Sequence, residues 1–320
     1  MASRRPISPD LPLLRERLDA LRAEWAGKRL ESDPLAFPHR YEDPEDREVV
    51  AFLASSLAFG RVASIQASLE RVLATLGPRP AAFLDEWDER PIPELNRFVH
   101  RWITGRDLED LLRRVRRARQ TYGSLGTLFA KADTDRDFLE GKESCGGAQC
   151  AAGADYVPAL STFLRTLRGE SLSEKAASRG LRFLLPSPSS GSACKRQHLF
   201  LRWMIRTEGF DLGLWTGGRF SPARLLLPMD THVHRISRYL GLTRRPVADL
   251  AASREATVFL RRLDPADPVG YDWALSRLGI LAECTGFPAR RHCERCAIAP
   301  VCHERIGPSR PRSAERVLTA

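Results

Sequence analysis

The amino-acid sequence predicts an all-α fold, and three observations lead to this class. Apolar residues recur three and four positions apart through most of the 320-residue chain. Proline, glycine and acidic residues interrupt this pattern where helices are expected to start and stop. No segment alternates apolar and polar residues as a half-buried strand does, and the sequence has no internal repeat.

The predicted helices follow one another along the chain. The first is amphipathic, with Leu14, Leu18 and Leu21 on one face. The second starts near Asp43, with Pro44 in its first turn, and has too many apolar positions for a single stripe, so we expect it to be buried. The predicted spans are 13–28, a helix from 43–46 onward, 61–76, 81–87, 93–102, 108–122, 125–132, 156–167, 173–183, 195–206 and a helix capped by Asp230 and stopped by Gly241.

Two segments interrupt the helices. Residues 132–155 are rich in Asp, Gly and Ala, and this composition predicts an exposed loop. Its two cysteines, Cys145 and Cys150, are expected to be free thiols because disulfides are rare in a reducing compartment. The segment 185–191, with the sequence LPSPSSG, is predicted to be a turn between two helices.

The charge balance points to nucleic acid as a partner. The chain has a net charge of +10 and a pI near 9.6, carried mostly by arginine, although a GC-rich genome also raises arginine content. No apolar run approaches the roughly 20 residues of a membrane span, and the N-terminus lacks the apolar stretch of a signal peptide. A cytoplasmic, nucleoid-associated protein is expected. A dense basic run, expected to contact phosphates, consists of Arg113, Arg114, Arg116, Arg117 and Arg119.

Four cysteines near the C-terminus predict a metal centre. Cys284, Cys293, Cys296 and Cys302 have the spacing C-x8-C-x2-C-x5-C. Structural zinc sites more often carry two C-x2-C pairs, so this spacing favours a [4Fe-4S] cluster, with zinc as the alternative. The interleaved Arg290, Arg291 and Arg295 are predicted to bind the DNA backbone from this loop.

The segment PMDTHVHRISRYLGL, which contains Asp230, resembles the catalytic-aspartate segment of the helix-hairpin-helix DNA glycosylases, the endonuclease III superfamily. Three other stretches fit in the same order: the helix pair in 48–71, GSACK at 191–195 and the four C-terminal cysteines. The resemblance spans roughly residues 45–305. It is closest to a bacterial branch of the superfamily that carries a domain-of-unknown-function label.

The resemblance implies a fold, a cofactor and a reaction. It implies a helical barrel lobe at 46–224, a second lobe formed by 1–45 with 225–310 that carries an iron-sulfur cluster, and a tail at 311–320. Lys195 corresponds to the lysine that bifunctional members use to form a Schiff base with deoxyribose, and Asp230 to the carboxylate that assists it. The turn before Lys195 is expected to hold a DNA phosphate through Ser189, Ser190, Gly191, Ser192 and Arg196.

These residues predict a base-excision DNA glycosylase with abasic-site lyase activity, a monomer that binds double-stranded DNA. The alternative is a non-catalytic DNA-binding or damage-sensing iron-sulfur protein, and an RNA-directed relative is a third reading. In the alternative, Asp230 is only a helix cap and Lys195 only a phosphate-binding or solvated side chain.

No residue in the sequence identifies the base that would be excised. The superfamily's intercalating glutamine is absent, and Phe59 or Arg61 could take its place. The aromatic residues Phe210, Trp215 and Phe220 either shape a base pocket or pack in the core.

Overall fold

The computed structural model describes residues 10–134, 155–169, 178–215, 217–280, 284, 293–294 and 296–303. Helices predominate in these residues, which confirms the all-α class. The helices are α1 Leu11–Trp25, α2 Pro44–Ser56, α3 Val62–Leu76, α4 Pro80–Glu86, α5 Gly105–Tyr122, α6 Leu125–Thr134, α7 Val157–Arg168, α8 Arg179–Leu184, α9 Lys195–Ile205, α10 Thr231–Tyr239, α11 Leu250–Arg261 and α12 Asp272–Ile280. Short 3-10 helices lie at Leu30–Ser32, Pro34–Ala36, Pro38–Arg40, Pro93–Leu95, Pro188–Ser190, Pro222–Arg224 and Ala299–Val301.

The segment predicted as a helix over 93–102 is the clearest error in the predicted elements. After one 3-10 turn the chain forms a small antiparallel hairpin, β1 Val99–His100 and β2 Ile103–Thr104, in which Val99 pairs with Thr104. β-branched residues favour strands, and Arg101 in the tight turn adopts a left-handed conformation with φ of 58°. The hairpin then leads directly into α5, whose start is fixed by a capping box between Thr104 and Asp107.

Helices α2 and α9 form the centre of the core. Every residue of α9 from 196 to 205 is buried, and α2 is buried on nearly all sides, as its apolar content predicts. The two helices pack against each other, and the Phe52 and Phe200 rings meet edge to face with centroids 5.2 Å apart. Burial of a side chain of this size stabilises the fold by about 1.5–3 kcal/mol.

A buried carboxylate, that of Glu48, joins α2 to α6 and to the connection after α9. It accepts hydrogen bonds from the backbone N–H groups of Leu125 and Gly126, both at 2.9 Å, and from the Trp215 indole at 2.8 Å. Burial raises the pKa of Glu48, and these three donors oppose that rise. The free N–H groups at the start of α6 are thereby satisfied inside the core.

The last three helices bring distant parts of the chain together. α10 packs against α12, and α12 packs against α1, so the N-terminal helix lies beside the C-terminal region. α11 and α12 are not among the helices predicted from the sequence. Within the described ranges, no helix has the length and apolar content needed to cross a membrane.

Candidate active site

A cleft of about 1260 Å³ opens at the N-terminal ends of α9, α10 and α12, and both predicted catalytic residues line it. The Lys195 Nζ lies 4.0 Å from Oδ2 of Asp230 and donates a hydrogen bond of 3.4 Å to the carbonyl of Ala58. The two side chains are 28% and 24% exposed, so a ligand in the cleft can reach them. The chain thus brings together two residues that are 35 positions apart in the sequence.

The two carboxylate oxygens of Asp230 have different partners. Its Oδ1 accepts hydrogen bonds from the N–H groups of His232 at 2.9 Å and Val233 at 2.8 Å, so it is the N-cap of α10, as predicted. Its Oδ2 faces the Lys195 ammonium. The predicted stop is also present, since Gly241 follows α10 with a left-handed φ of 72°. One carboxylate oxygen therefore caps the helix while the other remains available for chemistry.

Lys195 is the first residue of α9, at the positive end of the helix dipole. Cys194 before it occupies the N-cap position in a left-handed conformation, with φ of 41°. Its side chain is buried, and burial raises the pKa of its thiol to about 11. Cys194 is therefore a small buried residue, as predicted, and its thiol is poorly suited to act as a nucleophile.

The turn before α9 has free donors next to Lys195. Ser189 and Ser190 are exposed, and Gly191 adopts a left-handed φ of 78°. The N–H groups of Ser190 and Gly191 are used inside the turn, by the carbonyls of Ser187 and Pro188. Among the described residues, none accepts a hydrogen bond from the N–H groups of Ser192 and Ala193. Two unpaired amides beside a helix N-terminus form a suitable phosphate site.

Arg196, which was predicted as a DNA contact, is engaged with neighbouring groups of the protein. Its guanidinium is buried against the rings of Phe183 and Phe59, 3.9 Å and 5.2 Å from their centroids. It donates to the carbonyl of Ser56 at 2.9 Å and to that of Phe183. Burial lowers its pKa to about 10. Arg196 lines the cleft beside Lys195, and because its guanidinium is already bound to backbone carbonyls, its contact with DNA stays a prediction.

The basic run on α5 also pairs with groups of the protein, and its contact with phosphates stays a prediction. Arg119 is buried and pairs with Glu45 and Asp85, both at 2.7 Å. The other four side chains bind acidic residues or backbone carbonyls of neighbouring segments. These contacts are Arg113 with Glu109 and Asp110, Arg114 with the carbonyls of Leu167 and Arg168, and Arg116 and Arg117 with Glu89.

Two aromatic residues predicted as alternatives for a base pocket pack in the core. Trp215 is buried and stacks on Phe129 with centroids 5.3 Å apart, and Phe220 lies 5.7 Å from Trp215. Neither lines the cleft, whereas Phe59 and Arg61 do. The Phe210 ring contacts the ring of Trp273, which lines the cleft, and the two ring centroids are 5.2 Å apart.

One further carboxylate of the cleft, besides Asp230, was missed in the sequence analysis. Asp272, the first residue of α12, is buried and lines the same cleft as Lys195 and Asp230. The Arg202 guanidinium binds it and also binds Asp211 at 3.0 Å. An acidic residue that opens an apolar helix was the available signal, because such a residue is typical of a helix start.

All four predicted metal-ligand cysteines lie among the described residues. The N–H of Cys296 donates to the carbonyl of Cys293 at 3.4 Å, and Arg235 donates to the carbonyl of Cys284 at 2.7 Å. Burial raises the pKa of Cys296, and the charges of Cys302, Cys284 and Cys293 raise it further. The four residues supply sulfur donors, and the chemistry of such donors suits iron or zinc.

Metal-binding geometry is absent from the described residues: no group of three or more His, Cys, Asp or Glu side chains has it. The [4Fe-4S] cluster therefore stays a prediction. The predicted DNA contacts Arg290, Arg291 and Arg295 lie outside the described residues, as do Cys145, Cys150 and the tail at 311–320.

Comparison with known proteins assigns a family. No curated protein and no solved structure matches the chain. A family model matches residues 33–281, a range that includes Lys195 and Asp230 and ends before the four cysteines begin at Cys284. Since the match covers well over half of its length, the chain belongs to the family described as "Protein of unknown function (DUF2400)".

Proposed function

We propose that this chain is a base-excision DNA glycosylase with abasic-site lyase activity. The observation that carries the proposal is the 4.0 Å approach of the Lys195 Nζ to Oδ2 of Asp230 in an open cleft. An amine beside a carboxylate is the arrangement that Schiff-base chemistry on a sugar requires. Lys195 is the nucleophile, and Asp230 is the group that accepts its proton.

The reaction starts with an uncharged Lys195 amine, which arises when Asp230 accepts a proton from the ammonium. The amine attacks C1′ of the deoxyribose, a C–N bond forms, and the glycosidic bond breaks with its electron pair leaving on the base. The departing base takes the proton from Asp230, and the carboxylate that this regenerates stabilises the positive charge on the sugar. Ring opening then yields the imine, and loss of the C2′ proton expels the 3′ phosphate in the lyase step.

The proposal includes a two-lobe arrangement. In it Lys195 belongs to the barrel lobe at 46–224, and Asp230 and Asp272, which line the same cleft, belong to the second lobe. In this arrangement DNA lies across the mouth of the cleft. The phosphate near the reacting sugar contacts the free amides of Ser192 and Ala193 and the exposed Ser189 and Ser190.

A charge reversal on the turn tests the DNA partner. Ser190→Glu is expected to weaken duplex binding by about tenfold, because it sets a negative charge beside the phosphate site. Ala74→Glu, which adds the same charge at an exposed position of α3 outside the cleft, is the matched control and should leave affinity unchanged. The measurement is fluorescence anisotropy at several salt concentrations. Binding that is absent at low salt, or insensitive to salt, would argue against nucleic acid.

A [4Fe-4S] cluster on Cys284, Cys293, Cys296 and Cys302 completes the proposal. Its role is structural, because a loop held by four thiolates positions neighbouring cations on a phosphate backbone.

Iron analysis checks the cluster. Protein purified without oxygen is expected to be brown, to absorb broadly near roughly 400 nm and to contain about four irons per chain. Cys296→Ser should lose most of this iron, whereas Cys194→Ser, which alters a buried cysteine outside the set, should keep it. A colourless folded protein with one zinc ion would contradict the cluster and support the zinc alternative.

A further inference from the structure

An exposed tryptophan lies beside the cleft, in the turn of the small hairpin. Trp102 follows Arg101 between β1 and β2, and 42% of its surface is exposed. The chain has six tryptophans, and all except Trp102 are buried or half-buried. Tryptophan is enriched where proteins bind partners, because its large ring offers contact area. Trp102 has no task in the lysine mechanism, and its exposure beside the cleft indicates a binding surface.

Trp102 extends the wall of the cleft as part of a cluster of three rings. Its ring centroid lies 5.4 Å from that of Phe59 and 4.9 Å from that of Phe183, and the two phenylalanine rings lie 4.8 Å apart. Phe59 and Phe183 line the cleft, and both are half-buried. We call these three rings the aromatic shelf. It runs from the cleft that contains Lys195 to the exposed indole of Trp102.

The aromatic shelf is held in place by the buried His100 of β1. The His100 Nε2 donates to the carbonyl of Phe59 at 3.0 Å, and its Nδ1 lies 2.9 Å from the hydroxyl of Ser68 on α3. Because a carbonyl can only accept, Nε2 carries the proton and Nδ1 accepts from Ser68. Burial lowers the pKa of His100, which favours this neutral form. A surface fixed in this way loses little conformational entropy when it binds a ligand.

Two exposed arginines stand beside the aromatic shelf. Arg61 lines the cleft, and the Arg101 side chain passes next to Gly60, with its guanidinium carbon 5.6 Å from the Trp102 ring centroid. Within the described part of the chain neither guanidinium forms an ion pair, in contrast to the basic run on α5. Cations that hold phosphates beside a ring on which bases stack are the combination that binds unpaired nucleic acid. The shelf therefore fits a nucleobase better than an apolar peptide, which needs no positive charge.

We propose that Trp102 is the stacking surface for a nucleobase that has left the duplex stack beside the cleft. Arg61 and Arg101 bind the phosphates on the two sides of that nucleotide. DNA as the partner rests on the proposed function, whereas the stacking requires no chemistry at Lys195. A paired base keeps its faces inside the helix, so the contact forms only where a base is unstacked. Phe59, which is half-buried, supports the indole from the cleft side.

Three short duplexes that differ at one central position test the stacking. One is fully paired, one carries a bulged thymine, and one carries a bulged tetrahydrofuran, a stable sugar without a base. Trp102→Ala is expected to weaken binding of the bulged-thymine duplex by about tenfold, because stacking is lost, and to change the affinity for the other two by less than about twofold. Trp102→Phe keeps an aromatic face and should retain most of the affinity. Fluorescence anisotropy at one salt concentration measures each affinity.

The comparison of duplexes separates stacking from a general loss of structure. If the ring and the base touch, removing either one costs the same affinity, and removing both costs no more. Val258→Ala, which shortens an exposed apolar side chain of α11 outside the cleft, is the protein control and should change none of the affinities. Equal weakening of all three duplexes by Trp102→Ala, or weakening of none, would overturn the proposal.

The two arginines are tested by the salt dependence of binding. Arg61→Ala and Arg101→Ala should each weaken all three duplexes alike and lower the salt dependence by about one phosphate contact, because such a contact does not involve the base. A salt dependence that is unchanged in both variants would overturn their assignment to phosphates.

Failure of the stacking and failure of the proposed function give different results. If Trp102→Ala loses affinity for the bulged thymine alone in a protein that never traps abasic DNA, the stacking stands and the glycosylase function fails. If Lys195 traps abasic DNA and Trp102→Ala still binds the bulged thymine fully, the function stands and the stacking fails. If Trp102→Ala changes only the molar mass in analytical ultracentrifugation, the ring is a contact between copies of the chain and the proposal is overturned.

Discussion

Lys195→Ala is expected to reduce covalent trapping on abasic DNA to background while duplex binding stays nearly intact. Trapping requires the amine that forms the imine, and borohydride reduces that imine to a stable bond. Binding survives because the substitution removes at most one phosphate contact, and the free amides of Ser192 and Ala193 belong to the backbone. The measurement is gel separation of the trapped complex beside an anisotropy titration of the same preparation.

The control is Lys131→Ala, which removes a lysine from the exposed face of α6 outside the cleft. This variant should trap DNA as well as the unmodified protein does. Undiminished trapping by Lys195→Ala would show that another amine is the nucleophile. If neither the unmodified protein nor either variant traps a panel of oxidised, alkylated, deaminated and abasic duplexes but all bind them, the non-catalytic alternative is favoured.

Asp230→Asn is expected to slow base release by a factor on the order of a hundred or more, with little loss of stability. Asparagine can still accept the hydrogen bonds from His232 and Val233, so α10 keeps its cap. The amide nevertheless lacks the negative charge that faces Lys195 and that stabilises the developing cation. The rate under single-turnover conditions and the unfolding midpoint in urea measure the two effects separately.

Asp43→Asn is the matched control, because Asp43 caps α2 through Glu45 and Asp46 and lies outside the cleft. This substitution should change neither the rate of base release nor the unfolding midpoint in urea. Asp230→Ala, in contrast, removes charge and cap together and should also cost about 1 kcal/mol of stability. An Asp230→Asn variant as active as Asp43→Asn would show that Asp230 is a cap alone.

Local sequence signals predicted most of the helices correctly. Asp43, Asp230 and Gly241 stand at the helix ends where they were expected, because caps and stops depend on residues within one turn. The prediction of a helix over 93–102 was wrong because the few apolar residues of this span fit a short hairpin as well as a helix. The helices α11 and α12 were not predicted, although both start at acidic residues that the same reasoning uses elsewhere.

Only part of the candidate site could be predicted from the sequence. Lys195 and Asp230 were named from the resemblance, and the fold brings them together from separate helices. Arg196 and the basic run on α5 were predicted to bind DNA because the sequence shows each charge but not the groups of the protein that pair with it in the fold. The pairing of the buried Arg119 with Glu45, 74 positions away, illustrates the point. Asp272 carried a local signal as the acidic residue that starts α12, but its place in the cleft follows only from tertiary packing.

The most direct test of the Lys195 mechanism is the chemical identity of the trapped amine. The unmodified protein is incubated with an abasic duplex and borohydride, digested, and analysed by peptide mass spectrometry. The Lys195 mechanism predicts that the reduced sugar adduct lies on Lys195 and on no other lysine. An adduct on the N-terminal amine or on another lysine such as Lys131, or no adduct on any amine in a protein that binds the duplex, would contradict it.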